Sequence, residues 1–207
     1  MNERPNINDV AIAHMEQKYG EAFTYFGPWG ISPSPTFELL VTSASFPSLR
    51  VLVQIENFRD EENRVFRDNF LAVKYMEESI NFFQSSASSV FGDAKIFYNV
   101  FMDGQSHDLP ANATFQEFLA DTRTPHTVLV VIRESDFNSK EQAEKVAELF
   151  AASQAHFYLT ILVVDKNAFE VHDHSTHNTN ISLNRFVHCA IIRIFDDGIN
   201  IEWRGEE

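Results

Sequence analysis

Residues 127–133 read TVLVVIR and residues 157–164 read FYLTILVV, two nearly continuous apolar runs. Runs of this kind are typical of strands that are covered on both faces. Between them, Ser139 and Gln142 have the spacing of a capping box, which predicts a helix from Ser139 to Ser153. A strand, a helix and a second strand in this order predict a parallel β-α-β unit over 127–164, with a right-handed crossover.

Downstream of this unit, the sequence predicts an antiparallel hairpin at 185–204. Apolar runs at Phe186–Phe195 and Ile199–Trp203 flank Asp196-Asp197-Gly198, and Asp-Gly supplies the positive φ angles of a tight turn. Cys189, the single cysteine, lies inside the first run. It excludes an intramolecular disulfide, and we expect a buried thiol rather than a reactive nucleophile.

Upstream of the unit, predicted helices and strands alternate. Residues Leu49–Glu56 alternate between apolar and polar, and the polar tip Asp60–Asn63 predicts that this strand folds back as a hairpin. Apolar residues recur at helical spacing from Met76 to Val90, and Gly92 follows the last turn. Further predicted elements are a helix at 9–19 closed by Gly20, strands at 37–42 and 94–102, and a short helix at the capping box Thr114-x-x-Glu117.

These elements predict an α+β fold, a mixed β-sheet with helices packed on it. The length of 207 residues favours a single domain over 1–207. The alternative is two small α+β subdomains at 1–103 and 112–207. They would divide near Asp103–Asn112, where Gly104, Pro110 and polar residues cluster.

The charge balance disfavours two classes of partner. The chain has 16 Lys and Arg residues against 30 Asp and Glu residues, a formal net charge of −14. Nucleic acid and anionic lipid surfaces would repel such a chain. The apolar runs are also far shorter than the roughly 20 residues that cross a bilayer, so the sequence predicts no transmembrane segment.

Two segments carry a resemblance, Ala11–Phe23 with its Lys18-Tyr19-Gly20 signature, and Arg67–Glu78 with Asp68-Asn69-Phe70-Leu71. They resemble segments of small uncharacterised lipoproteins and membrane-anchored surface proteins of Gram-positive bacteria, over about the first hundred residues. The resemblance implies an extracytoplasmic location with a cell-surface anchor. The anchor is absent from this chain, because no lipobox cysteine occurs in it. A cytoplasmic location is the alternative.

A His-rich segment is the sharpest local feature. His172, His174 and His177 lie within six residues that also include Asp173. Imidazole and carboxylate groups are ligands of Zn²⁺ and other divalent transition metals, and a loop can wrap them around one ion. The alternative is a solvated loop between two strands in which the histidines bind nothing. His188 would contribute only if its strand approaches this loop.

Aromatic residues suggest a second candidate site. Tyr25, Phe26 and Trp29 lie in or beside a predicted rigid loop at 27–35, which contains three prolines and two glycines. A preset aromatic surface binds a protein partner at low entropic cost. The alternative is ordinary packing, with Trp29 holding the loop against the domain.

No nucleophile elbow, zincin helix, phosphate loop or dinucleotide fingerprint occurs in the sequence, so catalysis is the less favoured reading. The leading prediction is a non-catalytic, acidic interaction or accessory domain. One alternative is an immunity-type inhibitor, whose negative charge captures a basic partner protein. A metal-binding protein that uses the His-rich segment is another.

Overall fold

The computed structural model describes residues 6–30, 36–100, 109–123, 125–171 and 186–205. Over these ranges the chain forms six α-helices, one short 3-10 helix at Glu134–Asp136 and nine strands. The helices are α1 (Ile7–Tyr19), α2 (Phe70–Lys74), α3 (Met76–Phe91), α4 (Phe115–Leu119), α5 (Lys140–Ala151) and α6 (Lys166–Val171). The strands are β1 (Phe23–Pro28), β2 (Phe37–Ser43), β3 (Val51–Glu56), β4 (Val65–Asp68), β5 (Ala94–Tyr98), β6 (His126–Arg133), β7 (Phe157–Val164), β8 (Phe186–Phe195) and β9 (Gly198–Gly205).

The described chain divides into two compact units. The first contains the residues up to Tyr75 and those from 109 to Phe118, and the second contains Met76 to residue 100 and the residues from Leu119 onward. Most of the boundary segment predicted from the sequence, Asp103–Asn112, lies outside the described residues.

The first unit is built on an antiparallel sheet in the order β1-β2-β3-β4. Its two middle strands are buried on both faces, since consecutive residues such as Leu39, Leu40 and Val41 are all buried. Helix α1 contacts β1 and buries Ala11 and Met15. Asn6 caps its first turn by accepting a hydrogen bond from Asn8 N at 3.1 Å, and Gly20 ends it with a positive φ of 71°.

The second unit is built on a mixed sheet in the order β5-β6-β7-β8-β9. Strands β6 and β7 pair in parallel from His126↔Phe157 to Arg133↔Val164, with α5 between them in sequence. The predicted β-α-β unit is thereby confirmed. The capping box of α5 is also present, because Gln142 Oε1 accepts a hydrogen bond from Ser139 N at 3.3 Å.

Helices cover both faces of this sheet. On one face, Phe157 of β7 packs against Phe83 of α3 and Phe150 of α5. On the other face, Leu162 of β7 joins Phe169 of α6 and Cys189 of β8 in one apolar cluster. Phe157 and Leu162 point in opposite directions because side chains alternate along a strand. The continuous apolar runs thus follow from burial on both faces.

The α+β class is confirmed, and so is the C-terminal hairpin, in which Phe195↔Gly198 closes the β8–β9 turn. Several details differ from the sequence-based expectation. The strands form two sheets, and β1, α2 and α6 were not predicted. Strand β5 ends at Tyr98, although the sequence predicted a strand up to 102. In the described part of the chain, no helix is both long and apolar enough to cross a membrane.

Candidate functional site

The candidate partner-binding residues lie on and just after β1, the outer strand of the first sheet. Tyr25 and Phe26 are strand residues, and the predicted loop is wrong at its start because Gly27 and Pro28 also belong to β1. Residues 31–35 of that loop lie outside the described residues. Phe26 is 54% exposed, while Tyr25 and Trp29 are each 40% exposed. We call these three side chains the β1 aromatic surface.

A β-bulge explains why Phe26 is exposed. The register runs from Tyr25↔Val41 directly to Gly27↔Leu40, so Phe26 has no partner residue on β2. Such a bulge re-aims the extra side chain and increases the local twist of the strand. Beyond the strand, Trp29 N donates a hydrogen bond to Glu38 O at 3.2 Å, which keeps Trp29 next to β2.

Arg50 lies against this surface, a contact that the sequence did not reveal. Its guanidinium carbon lies 3.6 Å from the centre of the Phe26 ring, a cation–π contact. Arg50 Nη1 also donates to Pro47 O at 3.5 Å. The two residues are 24 positions apart in sequence, and only the pairing of β1, β2 and β3 brings them together. The Arg50 guanidinium thus packs against the Phe26 ring of the surface.

The first unit also holds a buried carboxylate. Asp68 accepts hydrogen bonds from Lys18 Nζ at 2.7 Å, Tyr19 OH at 2.6 Å and Phe70 N at 3.0 Å. Burial and the neighbouring Asp68 raise the pKa of Tyr19 well above its usual range. Lys18 and Tyr19 anchor α1 to the end of β4, and the bond from Phe70 N holds the start of α2, so this cluster is structural.

The second unit contains a buried histidine, His126. Its Nε2 donates to Leu119 O at 3.1 Å, because a carbonyl oxygen only accepts, and Tyr98 OH therefore donates to Nδ1 at 2.8 Å. Burial lowers the pKa of His126 to about 4, against the raising effects of the Leu119 carbonyl and Asp121. A neutral, fully hydrogen-bonded ring holds β5 and β6 in place and is closed to solvent.

Cys189 is buried, as the sequence predicted. Burial, more than the nearby Glu202, raises the pKa of its thiol, while Arg204 acts in the opposite direction. A buried thiol with a raised pKa is a poor nucleophile.

The predicted metal site is a different case. His172, Asp173, His174 and His177 all lie outside the described residues. His188 lies in β8, opposite Val163, and its ring centre is 5.7 Å from that of Phe137. In the ranges that the structure describes, no three His, Cys, Asp or Glu side chains are grouped to hold a metal ion. The proposed ligands therefore remain a prediction from sequence.

Comparison with known proteins adds little. No protein-family model matches the chain, and no curated protein matches it. A solved structure that resembles it is that of a DUF5037 family protein from Ruminococcus gnavus ATCC 29149. The two chains are 13% identical, the match covers 94% of each, and the TM-score is 0.49. This similarity assigns neither a family nor an activity.

Proposed function

We propose that this protein is a non-catalytic binding protein that recognises a cationic partner protein through the β1 aromatic surface. The observation that carries the proposal is the exposure of Tyr25, Phe26 and Trp29, which lie within five residues of one another at a sheet edge. Aromatic residues supply much of the binding energy at protein interfaces, because they bury a large area with few rotatable bonds. The net charge of −14 favours a partner of opposite charge.

The edge strand β1 is better suited to binding one partner than to uncontrolled pairing with further strands. The bulge at Phe26 and the proline at position 28 interrupt the row of backbone groups that an added strand would need. Binding would then depend on side chains rather than on strand addition. Contacts to side chains give selectivity, whereas a plain strand edge accepts many sequences.

Site-specific photo-crosslinking tests this proposal. A photoreactive phenylalanine analogue replaces Phe26 in the chain produced in its source organism, and the same analogue replaces Tyr158 as the control. Tyr158 is an equally suitable control position because it is an aromatic residue, 42% exposed, on the other sheet. We expect one basic protein to be captured at position 26 only. Equal capture at both positions, or none at position 26, would contradict the proposal.

Purified components then give the energetics. We expect Phe26→Ser to weaken binding of the captured protein by at least about tenfold, and Tyr158→Ser to leave it unchanged. Binding should also weaken as salt is added, since opposite net charges contribute to the association. An affinity that does not change with salt would contradict the cationic nature of the partner. Only the aromatic contact would then remain in the proposal.

The extracytoplasmic location is part of the same proposal and rests on the resemblance of Ala11–Phe23 and Arg67–Glu78 to surface proteins. Protease added to intact cells should degrade the protein while a cytoplasmic marker survives. Protection equal to that of the marker would favour the cytoplasmic alternative.

A basic enzyme as the partner would make this protein an immunity-type inhibitor, and the charge of −14 favours that second candidate. In this case the captured protein has an enzymatic activity that the wild-type chain abolishes at equimolar concentration. Phe26→Ser would restore that activity. A captured protein whose activity is unaffected would leave the accessory role alone.

A further inference from the structure

Strand β9 is an edge strand of the five-stranded sheet. It pairs with β8 from Phe195↔Gly198 to His188↔Gly205 without a bulge, and it pairs with no other strand among those described. Its sequence, GINIEWRG, contains no proline. A long, regular edge strand presents a row of backbone N–H and C=O groups that a further strand can bind.

The turn fixes which backbone groups point outward. Asp196 and Asp197 form a two-residue loop, so Phe195 and Gly198 are a hydrogen-bonded pair. Hydrogen-bonded and non-hydrogen-bonded pairs alternate along an antiparallel ladder. The N–H and C=O groups of Ile199, Ile201 and Trp203 therefore point away from β8, toward the free edge.

Two charged side chains make this edge complementary to itself. Glu202 and Arg204 are two residues apart, so they lie on the same face, and Arg204 Nε contacts Glu202 Oε1 at 2.9 Å. Both side chains are well exposed. In an antiparallel pair centred on Trp203, Glu202 faces Arg204 of the second copy, and Arg204 faces its Glu202.

The same charges favour this register over the one shifted by two residues. A shift of two residues would place Glu202 opposite Glu202 of the second copy, and like charges directly opposite are destabilising. In the register centred on Trp203, the Glu202–Arg204 positions are non-hydrogen-bonded pairs, in which side chains are closest. The same register sets the two Trp203 side chains next to each other on the opposite face.

We propose that β9 pairs with β9 of a second copy of this chain, antiparallel and centred on Trp203. The pairing joins two five-stranded sheets into one continuous sheet. A second copy is the occupant that the edge fits, because a strand with opposite charges two residues apart is its own complement. The contact is short, and each copy carries a charge of −14, so the dimer is weak and reversible.

Charge exchange at the two positions tests the pairing. Sedimentation velocity from about 10 μM to about 1 mM gives the dimer dissociation constant. We expect Glu202→Arg alone and Arg204→Glu alone to weaken the dimer about tenfold, since each puts like charges opposite each other. The double variant Glu202→Arg with Arg204→Glu should return to within about threefold of the wild type.

Net charge predicts the opposite result for one of these variants. Glu202→Arg lowers the negative charge of each copy, so general repulsion alone would make it dimerise more strongly than the wild type. Glu144→Arg makes the same charge change on the exposed side of α5 and is the matched control. It should not weaken the dimer.

Three results would overturn the proposal. The wild type could stay monomeric over the whole concentration range, the single variants could dimerise as well as the wild type, or the double variant could fail to regain the dimer. Circular dichroism of each variant shows whether its fold is intact. Loss of the dimer is interpreted only for variants that are folded. Loss in both single variants with recovery in the double variant supports the pairing.

Discussion

Asp68 shows how much of the first unit depends on a single side chain. It is almost fully buried, and its carboxylate holds Lys18 and Tyr19 of α1 as well as the amide that begins α2. No local pattern in the sequence indicates this cluster, because Lys18 and Asp68 are 50 positions apart. The packing of α1 and β4 brings these two distant side chains together, and no local sequence pattern predicts that packing.

Removing the charge of Asp68 should therefore destabilise the protein strongly. Asp68→Asn leaves Lys18 half-buried without its counter-ion, and we expect a loss of about 3 kcal/mol or more in the free energy of unfolding. Lys18→Met in the same chain should recover part of that loss, since no unpaired cation remains. Urea unfolding of both single variants and the double variant measures the coupling, and strictly additive losses would refute the pairing.

His126 should make stability depend on pH. Its pKa in the folded chain is about 4, against 6.5 for a free imidazole. The unfolded chain takes up a proton below about pH 6.5, and the folded chain does so only near pH 4. The contribution of His126 is thus complete above pH 6.5 and falls by about 3 kcal/mol as the pH drops to 4.

Comparison with a non-titrating variant isolates this effect from the carboxylates. His126→Gln keeps one donor and one acceptor, and urea unfolding at pH 7 and pH 4.5 gives the stability of each chain. We expect the advantage of the wild type over His126→Gln to shrink clearly at pH 4.5. An advantage that is the same at both pH values would show that His126 does not titrate in this range.

At the level of elements, the sequence predicts the helices and strands that carry a local residue pattern of their own. The long strands β6 and β7, helix α3 and the capped helix α5 were predicted because each carries a strong periodic or capping signal. Strand β1 was missed because Thr24, Tyr25 and Phe26 are all exposed around the bulge, which breaks the alternation. Helices α2 and α6, of five and six residues, are too short to show a period. The division into two sheets depends on pairing between distant strands.

The end of α1 offers a test of one such local signal. Gly20 has a φ of 71°, and a Cβ added there meets no atom within 4 Å. Gly20→Ala should therefore cost about 1 kcal/mol through backbone conformation alone. Gly27→Ala is the control, since Gly27 also has open space but no positive φ. Equal thermal shifts in the two variants would show that the helix cap is unimportant.

The His-rich segment between α6 and β8 is tested with metal alone. If His172, His174 and His177 hold one ion, calorimetric titration of Zn²⁺ or Ni²⁺ into the full chain shows tight binding, and His174→Ala abolishes it. Binding should also weaken as the pH falls through about 6, because protonated imidazoles do not bind metal. Equal, weak heats in both chains would identify the segment as a solvated loop.

On the scale of the whole molecule, we expect the net charge to oppose folding more than surface ion pairs support it. Exposed pairs such as Arg67–Glu56 and Arg204–Glu202 contribute little, and the buried Lys18–Asp68 pair is only weakly screened by salt. The remaining electrostatic effect is repulsion among an excess of carboxylates. Screening that repulsion should stabilise the folded chain.

We therefore expect the melting temperature at pH 7.5 to rise by a few degrees as NaCl is raised from about 10 mM to about 300 mM, over which the Debye length falls severalfold. The control is the same titration near pH 4.9, the isoelectric point of the sequence, where the net charge vanishes. There the rise should disappear or reverse, since salt then screens mainly attractive pairs. A melting temperature that falls with salt at pH 7.5 would mean that local ion pairs, rather than net charge, dominate the electrostatics of this fold.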